Sequence, residues 1–249
     1  MATETIDSLR KGLAVLRSFR AARRQTITEA AAVTGMTRAA ARRFLRTLCD
    51  EGLARTDGKH FELTAAVLEL GSAYLTGMSE LDTFREVLAD LTAQFGESAS
   101  AATLEGPDVV YIARSAARHR VITTNLAVGT RLPAHATSMG QVILAQLNHN
   151  ELDAYFNRAS LERFTDSTLA TKQDVKRRLD LVRAQGYALV SDELEYGLRS
   201  IAVAVPGRSV TLRGYLAVPD AAVRPGPWPG VVVVFEAFGL DVEMRRHAE

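Results

Sequence analysis

The sequence has little of what a disulfide framework or a metal centre requires. Its 249 residues include one cysteine, Cys49, and five histidines. A single cysteine cannot form a disulfide within the chain, which suits a reducing compartment, and the scattered histidines have no zinc-ligand spacing. We interpret Cys49 as a small packed hydrophobe rather than a reactive thiol. No cofactor or metal is expected.

Long apolar runs and common enzyme motifs are also missing. No segment approaches the roughly 20 apolar residues of a membrane helix, and residues 1–10 lack the apolar stretch of a signal peptide. We therefore expect a cytoplasmic protein without membrane contact. The hydrolase motif G-x-S-x-G and the phosphate-binding P-loop do not occur. Since 47% of the residues are hydrophobic, a globular core is expected.

Positive charge is concentrated towards the N-terminus. Residues 1–60 hold 12 Lys and Arg against 6 Asp and Glu, a net charge of +6. Residues 61–249 hold 18 against 23, a net charge of −5, and the two values add to the +1 of the whole chain. A basic end on an acidic body is typical of a protein that binds a polyanion at one end.

Helical patterns follow one another in this basic end. Apolar residues at helical spacing predict a first helix over residues 5–20. Thr26 or Thr28 can cap a second, short helix, and Gly35 suits the turn that follows it. Thr37 can cap a third helix.

A hairpin is predicted directly after the third helix. Asp57-Gly58 separates two short alternating runs, which is a strong local signal for a β-hairpin. Three helices followed by a hairpin predict a winged helix-turn-helix over residues 5–63, whose third helix enters a DNA major groove. Lys59 and His60 lie at the predicted wing tip, where they could reach a phosphate or the minor groove.

The third helix carries most of the candidate DNA-binding side chains. Arg38, Arg42 and Arg46 step by four residues and therefore share its outward face. A guanidinium can bond guanine bidentately or bind a phosphate, and Thr37 can bond a phosphate from the helix N-terminus. A solvated, arginine-rich helix face is the alternative. The full set of candidates is Thr37, Arg38, Ala39, Arg42, Arg43, Arg46, Lys59 and His60.

A linker helix and a second domain are predicted beyond the hairpin. A helix that opens at Thr64 would form the linker over residues 64–79. Residues 80–206 mix predicted helices and strands, which is typical of an α/β or α+β sensor-like domain. The predicted strands are 99–104, 109–113, 121–125, 187–191 and 201–205.

Four segments carry a resemblance to a known family. They are TRAAARRFL (37–45), NLAVGTRLPA (125–134), ATSMG (136–140), and SDELE with GLRSIA (191–202). In this order and spacing the chain resembles, over about residues 5–206, the IclR family of bacterial transcription regulators. Within that family it is similar to the PcaR/PobR branch, which controls aromatic-acid catabolism through the β-ketoadipate pathway. The resemblance implies an α+β protein without catalysis. It would have a winged helix-turn-helix and a GAF-like α/β effector-sensing domain, and would act as a homodimer or dimer of dimers on an operator.

A candidate effector site lies in the second domain. Thr137-Ser138 precedes an apolar helix, and a helix N-terminus attracts anions such as a carboxylate effector. The resemblance places Asp192 at the end of a strand in the same pocket. Ordinary structural roles are the alternatives: a helix cap, a satisfied loop histidine and a solvated loop. The candidates are Gly129, Arg131, His135, Thr137, Ser138 and Asp192.

The family pattern breaks after about Pro206. Residues 209–249 resemble instead the N-terminus of dienelactone hydrolase, an α/β-hydrolase whose Cys-His-Asp triad region is missing here. We therefore predict an atypical tail over residues 207–249, joined to a truncated sensor domain by a gene fusion. Residues 211–218 could replace the missing last strand. Otherwise the sheet has an open edge, and the apolar strand 231–235 has no sheet of its own.

The sequence thus predicts a DNA-binding regulator of aromatic-acid catabolism that senses a small aromatic or dicarboxylic acid. The first alternative is a regulator that binds DNA but no longer responds to an effector. A winged helix that binds only protein is the second. A hydrolase is the third, and it would need Cys49 as its nucleophile.

Overall fold

The computed structural model describes residues 5–20, 22–78, 81–117 and 126–205, and the backbone of Val231–Glu236. Contacts divide the chain into two units, Met1–Ser79 and Glu80–Glu249. None of the described helices is both long and apolar enough to cross a membrane. Over the same described ranges, no group of three or more His, Cys, Asp or Glu side chains could hold a metal ion.

The first unit is built from helices and a small sheet. The helices are Asp7–Ser18 (α1), Ile27–Thr34 (α2), Arg38–Asp50 (α3) and Val67–Thr76 (α4). The strands are Arg24–Thr26 (β1), Ala54–Thr56 (β2) and His60–Leu63 (β3). Strand β3 lies between the other two and is antiparallel to both. The predicted succession of three helices and a hairpin is confirmed.

Side-chain caps fix where α2 and α3 begin. The Thr26 hydroxyl accepts the Glu29 N–H, and the Glu29 carboxylate accepts the Thr26 N–H in return. Gly35 ends α2 at φ 67°, a left-handed conformation that glycine adopts without strain. Thr37 caps α3 by accepting the Ala40 N–H at 3.2 Å. Of the two candidate caps for the second helix, Thr26 is the one used.

The core of the first unit buries the inward stripe of α3. Ala41 and Leu45 are fully buried, and Leu48 is almost so, in a cluster that includes Val15 of α1. Cys49 packs at the edge of this cluster, where burial raises the pKa of its thiol. A thiol of this kind is a small hydrophobe, not an activated nucleophile.

Strand β1 has only three residues, and the sequence patterns do not predict it. Its Gln25 is buried and lies opposite Phe61 of β3. The Gln25 Nε2 donates to the Ser18 Oγ at 2.6 Å, and that hydroxyl donates to the Val15 carbonyl at 2.7 Å. This short polar chain ties α1 to the sheet.

The second unit is an antiparallel sheet packed with helices. The helices are Leu81–Phe95 (α5), Ser138–Gln146 (α6), His149–Phe156 (α7) and Lys172–Gln185 (α8). The strands are Ser98–Glu105 (β4), Asp108–Ser115 (β5), Arg131–Pro133 (β6), Tyr187–Ser191 (β7), Arg199–Val205 (β8) and Val231–Glu236 (β9). Their order across the sheet is β6-β5-β4-β9-β8-β7. Helix α5 packs on β4 and β5, whereas the buried α6 packs on α8, β7, β8 and β9.

Strand β9 corrects what we expected of the tail. It pairs antiparallel with β4 on one side and with β8 on the other. The predicted strand exists, but the expectation that it has no sheet is wrong, and so is the expected open edge. Strands β4 and β8 each present a row of backbone N–H and C=O groups, and the backbone of β9 pairs with both rows. Residues 211–218 and the predicted strand 121–125 lie outside the described residues.

Candidate nucleic-acid interface and ligand cavity

The outward face of α3 carries exposed arginines. Arg38, Arg42, Arg43 and Arg46 are exposed, and no hydrogen bond or ion pair within the described ranges involves their guanidinium groups. Three of them step by four residues and therefore point the same way from the helix. Ala39 is exposed beside them and adds little bulk. We call these four arginines the basic face, and it leaves four cations available to a polyanion.

The N-terminus of α3 offers a different contact. The Thr37 Oγ accepts the Ala40 N–H, but its hydroxyl hydrogen can still donate to a phosphate oxygen. The positive end of the helix dipole favours an anion at the same place. Thr37 and the neighbouring Arg38 therefore remain candidates for a phosphate contact.

The wing tip is closed by Asp57. Its carboxylate accepts the N–H of His60 at 2.7 Å and of Lys59 at 2.9 Å, and the Arg24 Nη2 lies 2.6 Å away. The two N–H groups hold the pKa of Asp57 well below its usual range. Lys59 is exposed, whereas the partly buried His60 ring faces Asp57 at 3.4 Å. Lys59 is thus better placed than His60 to reach a phosphate.

A cavity of about 110 Å³ lies in the second unit. Its walls come from the strands, the start of α6 and the loop between β7 and β8, residues 192–198. Most lining side chains are apolar, with Tyr111 and Met139 among the larger ones. The polar lining residues are Ser98, Arg114, Thr137, Ser138, Glu195 and Ser200.

Two of the predicted effector-binding residues line this cavity at the start of α6. Thr137 caps the helix by accepting the Gly140 N–H at 3.2 Å, and the Ser138 Oγ donates to the Ser200 Oγ at 2.9 Å. Within the described part of the chain no hydrogen bond uses the N–H of Ser138 or Met139, the first two of the helix. These donors and the helix dipole favour an anion at this wall.

Arg114 is the cation among the described lining residues, and it is not one of the residues predicted from the sequence. It lies near the end of β5, and its Nη1 donates to the Ser100 Oγ at 3.1 Å. Because guanidinium groups pair well with carboxylates, Arg114 adds a second anion-attracting group to the cavity. A charged residue near the end of an otherwise apolar predicted strand is the signal that could have found it.

Gly129 and Arg131 lie outside this lining. Gly129 adopts φ 86° and donates its N–H to the Tyr111 carbonyl at 2.8 Å, so it shapes a turn. The Arg131 Nε lies 3.0 Å from the Asp108 Oδ2, and its Nη2 donates to the Glu105 carbonyl. The charge of Arg131 is therefore used within the sheet.

His135 and Asp192 also lie outside the lining and have internal partners. The buried His135 ring is 2.9 Å from the Glu162 carbonyl, and burial lowers the pKa of the ring. Asp192 has φ 61° and accepts the Gly197 N–H at 2.6 Å, which lowers the pKa of Asp192 and closes the 192–198 loop. A direct effector contact by either residue stays a prediction.

Two family profiles match the chain. The IclR helix-turn-helix domain matches residues 8–58, and the bacterial transcriptional regulator IclR C-terminal domain matches residues 72–224. The second match continues past Pro206, where we expected the family pattern to break. The similarity of residues 209–249 to dienelactone hydrolase is tested by neither match and stays a prediction.

Individual relatives are transcription regulators as well. The Pca regulon regulatory protein of Pseudomonas putida is 43% identical over 201 residues, which cover 80% of this chain and 69% of that protein. The p-hydroxybenzoate hydroxylase transcriptional activator of Acinetobacter baylyi is 38% identical over 206 residues, 81% of this chain and 75% of that one. A crystal structure described as a transcriptional regulator from Rhodococcus sp. RHA1 is 35% identical. It has a TM-score of 0.74 and covers 98% of this chain and 96% of that one.

These matches confirm the predicted class, a regulator rather than an enzyme, and the predicted fold. They cover both units, and the relatives share more than a third of their aligned residues with this chain. The chain belongs to the IclR family of bacterial transcriptional regulators.

Proposed function

We propose that this protein is a cytoplasmic regulator of aromatic-acid catabolism whose operator binding responds to a small aromatic carboxylic acid. In this proposal residues 5–63 bind DNA, residues 64–79 link the domains, and residues 80–206 sense the acid with β9 completing their sheet. The names of the two relatives support the aromatic pathway. The observation that carries the DNA-binding half is the basic face of α3, whose cations have no internal partner in the described ranges.

Arg42 is the first residue to test on the basic face. Arg42 lies between Arg38 and Arg46 on the exposed face of α3. An Arg42→Ala variant therefore loses a base or phosphate contact without disturbing the buried residues of the helix. We expect operator affinity to fall by about 1–3 kcal/mol if Arg42 contacts a base edge. The matched control is Arg177→Ala, which removes an exposed arginine of α8 that pairs with Asp174. If Arg42→Ala binds the operator as tightly as the wild type does, Arg42 does not contact the DNA.

The cavity supports an acid with one aromatic ring. At about 110 Å³ the cavity is small, which favours a ligand with one ring at most over a larger ligand. The walls are largely apolar, while Arg114 and the first N–H groups of α6 attract a carboxylate. We therefore choose 4-hydroxybenzoate as the test acid and its neutral amide, 4-hydroxybenzamide, as the control.

Two arginine variants decide which cation binds the carboxylate. We expect Arg114→Met to weaken 4-hydroxybenzoate binding by at least tenfold in calorimetry, and Arg131→Met to leave it nearly unchanged. The wild-type protein should prefer 4-hydroxybenzoate over 4-hydroxybenzamide, and Arg114→Met should lose that preference. If instead Arg131→Met weakens 4-hydroxybenzoate binding and Arg114→Met does not, Arg131 rather than Arg114 binds the carboxylate. Operator binding that no aromatic acid changes would favour the ligand-blind alternative.

Apolar side chains on α1 and α4 support a homodimer. Leu9 and Leu68 are 61% and 74% exposed, and Ile6, Leu70 and Tyr74 are exposed as well. No residue of α4 is buried within the described first unit, although most of this helix is apolar. A second copy that covers these side chains would also supply the second α3 for a palindromic operator. Analytical ultracentrifugation should give a dimer for the wild type and a monomer for Leu9→Glu/Leu68→Glu.

A further inference from the structure

A buried carboxylate lies behind the cavity wall. Glu193 belongs to the 192–198 loop, and only 3% of its side chain is exposed. Its Oε2 accepts the Gln141 Nε2 at 2.7 Å, and its Oε1 accepts the Arg178 Nη1 at 2.8 Å. Arg178 also donates to the Gln141 Oε1 at 3.2 Å, so the three side chains form a closed triangle.

The triangle joins two walls of the cavity. Gln141 lies on α6 one turn after Ser138, which lines the cavity. Glu193 directly precedes Leu194 and Glu195, which line the facing wall. The bond between Gln141 and Glu193 therefore sets the separation of α6 and the loop, and Arg178 ties both to α8.

The backbone of the loop is anchored on the same side. The Thr165 and Thr168 hydroxyls donate to the carbonyl oxygens of Asp192 and Glu193, respectively. The Asp192 N–H donates to the Leu198 carbonyl at 2.8 Å, which closes the loop. One face of the loop is thus held by α6, α8 and the two threonines, and the other face lines the cavity.

A buried ion pair adds little net stability, because removing both charges from water offsets their attraction. The Glu193 side chain is almost fully buried, and this burial raises the pKa of Glu193 in spite of the adjacent Arg178. Apolar side chains of similar volume often stabilise such a site as well or better, whereas the ion pair imposes a direction and a distance. The geometry therefore favours a positioning role over a purely stabilising one.

We propose that Glu193, Arg178 and Gln141 are positioning residues that hold the 192–198 loop against α6, so that the cavity keeps the shape that binds an aromatic acid. The predicted effect on acid binding rests on the proposed function of the cavity. The predicted effect on the position of the 192–198 loop does not depend on that function.

The test compares Arg178→Met with its neighbour Arg177→Met in the full-length protein. Arg178→Met leaves the Glu193 carboxylate buried without its cation, whereas Arg177 is exposed and pairs with Asp174 on the same helix. We expect 4-hydroxybenzoate affinity to fall at least tenfold in Arg178→Met and to stay within twofold in Arg177→Met. The Arg178→Met/Glu193→Gln double variant should recover part of the loss, because no unpaired charge remains. Operator affinity without the acid should not change.

Hydrogen exchange separates failure of this proposal from failure of the proposed function. The Asp192 and Gly197 N–H groups close the loop, and their exchange should accelerate at least tenfold in Arg178→Met but not in Arg177→Met. If the wild type binds no aromatic acid, this acceleration still supports the positioning role. Unchanged exchange, or unchanged acid affinity in a protein that binds the acid, would overturn it. Should Arg178→Met fail to fold, Gln141→Met gives the same comparison without unpairing the charge.

Discussion

One added methyl group at Gly140 should disturb the second unit severely. Helix α6 begins beside the 3-10 turn Ala134–Ala136, and a Cβ on Gly140 would lie 2.0 Å from the Ala134 carbonyl oxygen. Ordinary contacts begin at 3.4 Å, so backbone rather than a flexible side chain would have to give way. Overpacking costs about 1–3 kcal/mol, and this case belongs at the upper end. Displacement of the Thr137 cap would lower the free energy of unfolding by about 1 kcal/mol more. The higher helix propensity of alanine would raise it by about the same amount, so the two effects cancel. We therefore expect Gly140→Ala to lower the free energy of unfolding by about 3 kcal/mol.

Urea unfolding of the full-length protein, followed by circular dichroism, measures this loss. The matched control is Gly12→Ala in the middle of helix α1, where the added Cβ would lie 3.8 Å from the Phe44 Cδ1, an ordinary contact. That variant should gain about 0.5–1 kcal/mol, because alanine is the better helix former. Since the start of α6 lines the cavity, Gly140→Ala should also lose affinity for 4-hydroxybenzoate. Stability within about 0.5 kcal/mol of the wild type would refute the close approach of α6 and the turn.

Two further predictions concern the first unit. Ser18→Ala leaves the buried Gln25 amide without its acceptor, so we expect a loss of about 1–3 kcal/mol in urea unfolding, and an unchanged midpoint would contradict the Ser18–Gln25 bond. The folded-state pKa of Asp57 lies below its ordinary value of 3.8, so its stabilising effect is present above that value and is lost as the pH falls through the lowered pKa. NMR titration of the carboxyl carbon should show Asp57 still ionised below pH 3.8, and Asp57→Asn should keep the turn without this pH dependence.

The first unit was predictable from its sequence because its signals are local. Thr26, Gly35 and Thr37 each act on atoms within a few residues, and the Asp57-Gly58 turn joins the two strands of the hairpin, β2 and β3. The four-residue spacing of the arginines is likewise a property of one helix. Strand β1 was not predicted, because three residues are too few to show the alternation of apolar and polar residues that is typical of a strand.

The second unit was less predictable because its pairings are distant in sequence. Strand β9 inserts between β4 and β8, and no local pattern indicates where a strand will insert. Arg114 belongs to the cavity only because β5 lies beside the start of α6 in space. In the 192–198 loop, neighbouring carboxylates take different roles: Asp192 closes the loop from outside, and Glu193 turns into the interior. The left-handed conformation of Asp192 reverses the chain there, and the sequence alone does not specify it.

Fluorescence anisotropy on the DNA upstream of the gene tests the central claim most directly. The purified full-length protein is titrated onto that DNA and onto a random duplex at one fixed salt concentration, with and without 4-hydroxybenzoate. We predict affinity for the upstream DNA at least about a thousandfold above that for the random duplex, and a change when the acid is added. Equal affinity for the two duplexes, with the protein shown to be folded, would contradict the assignment of α3 to an operator.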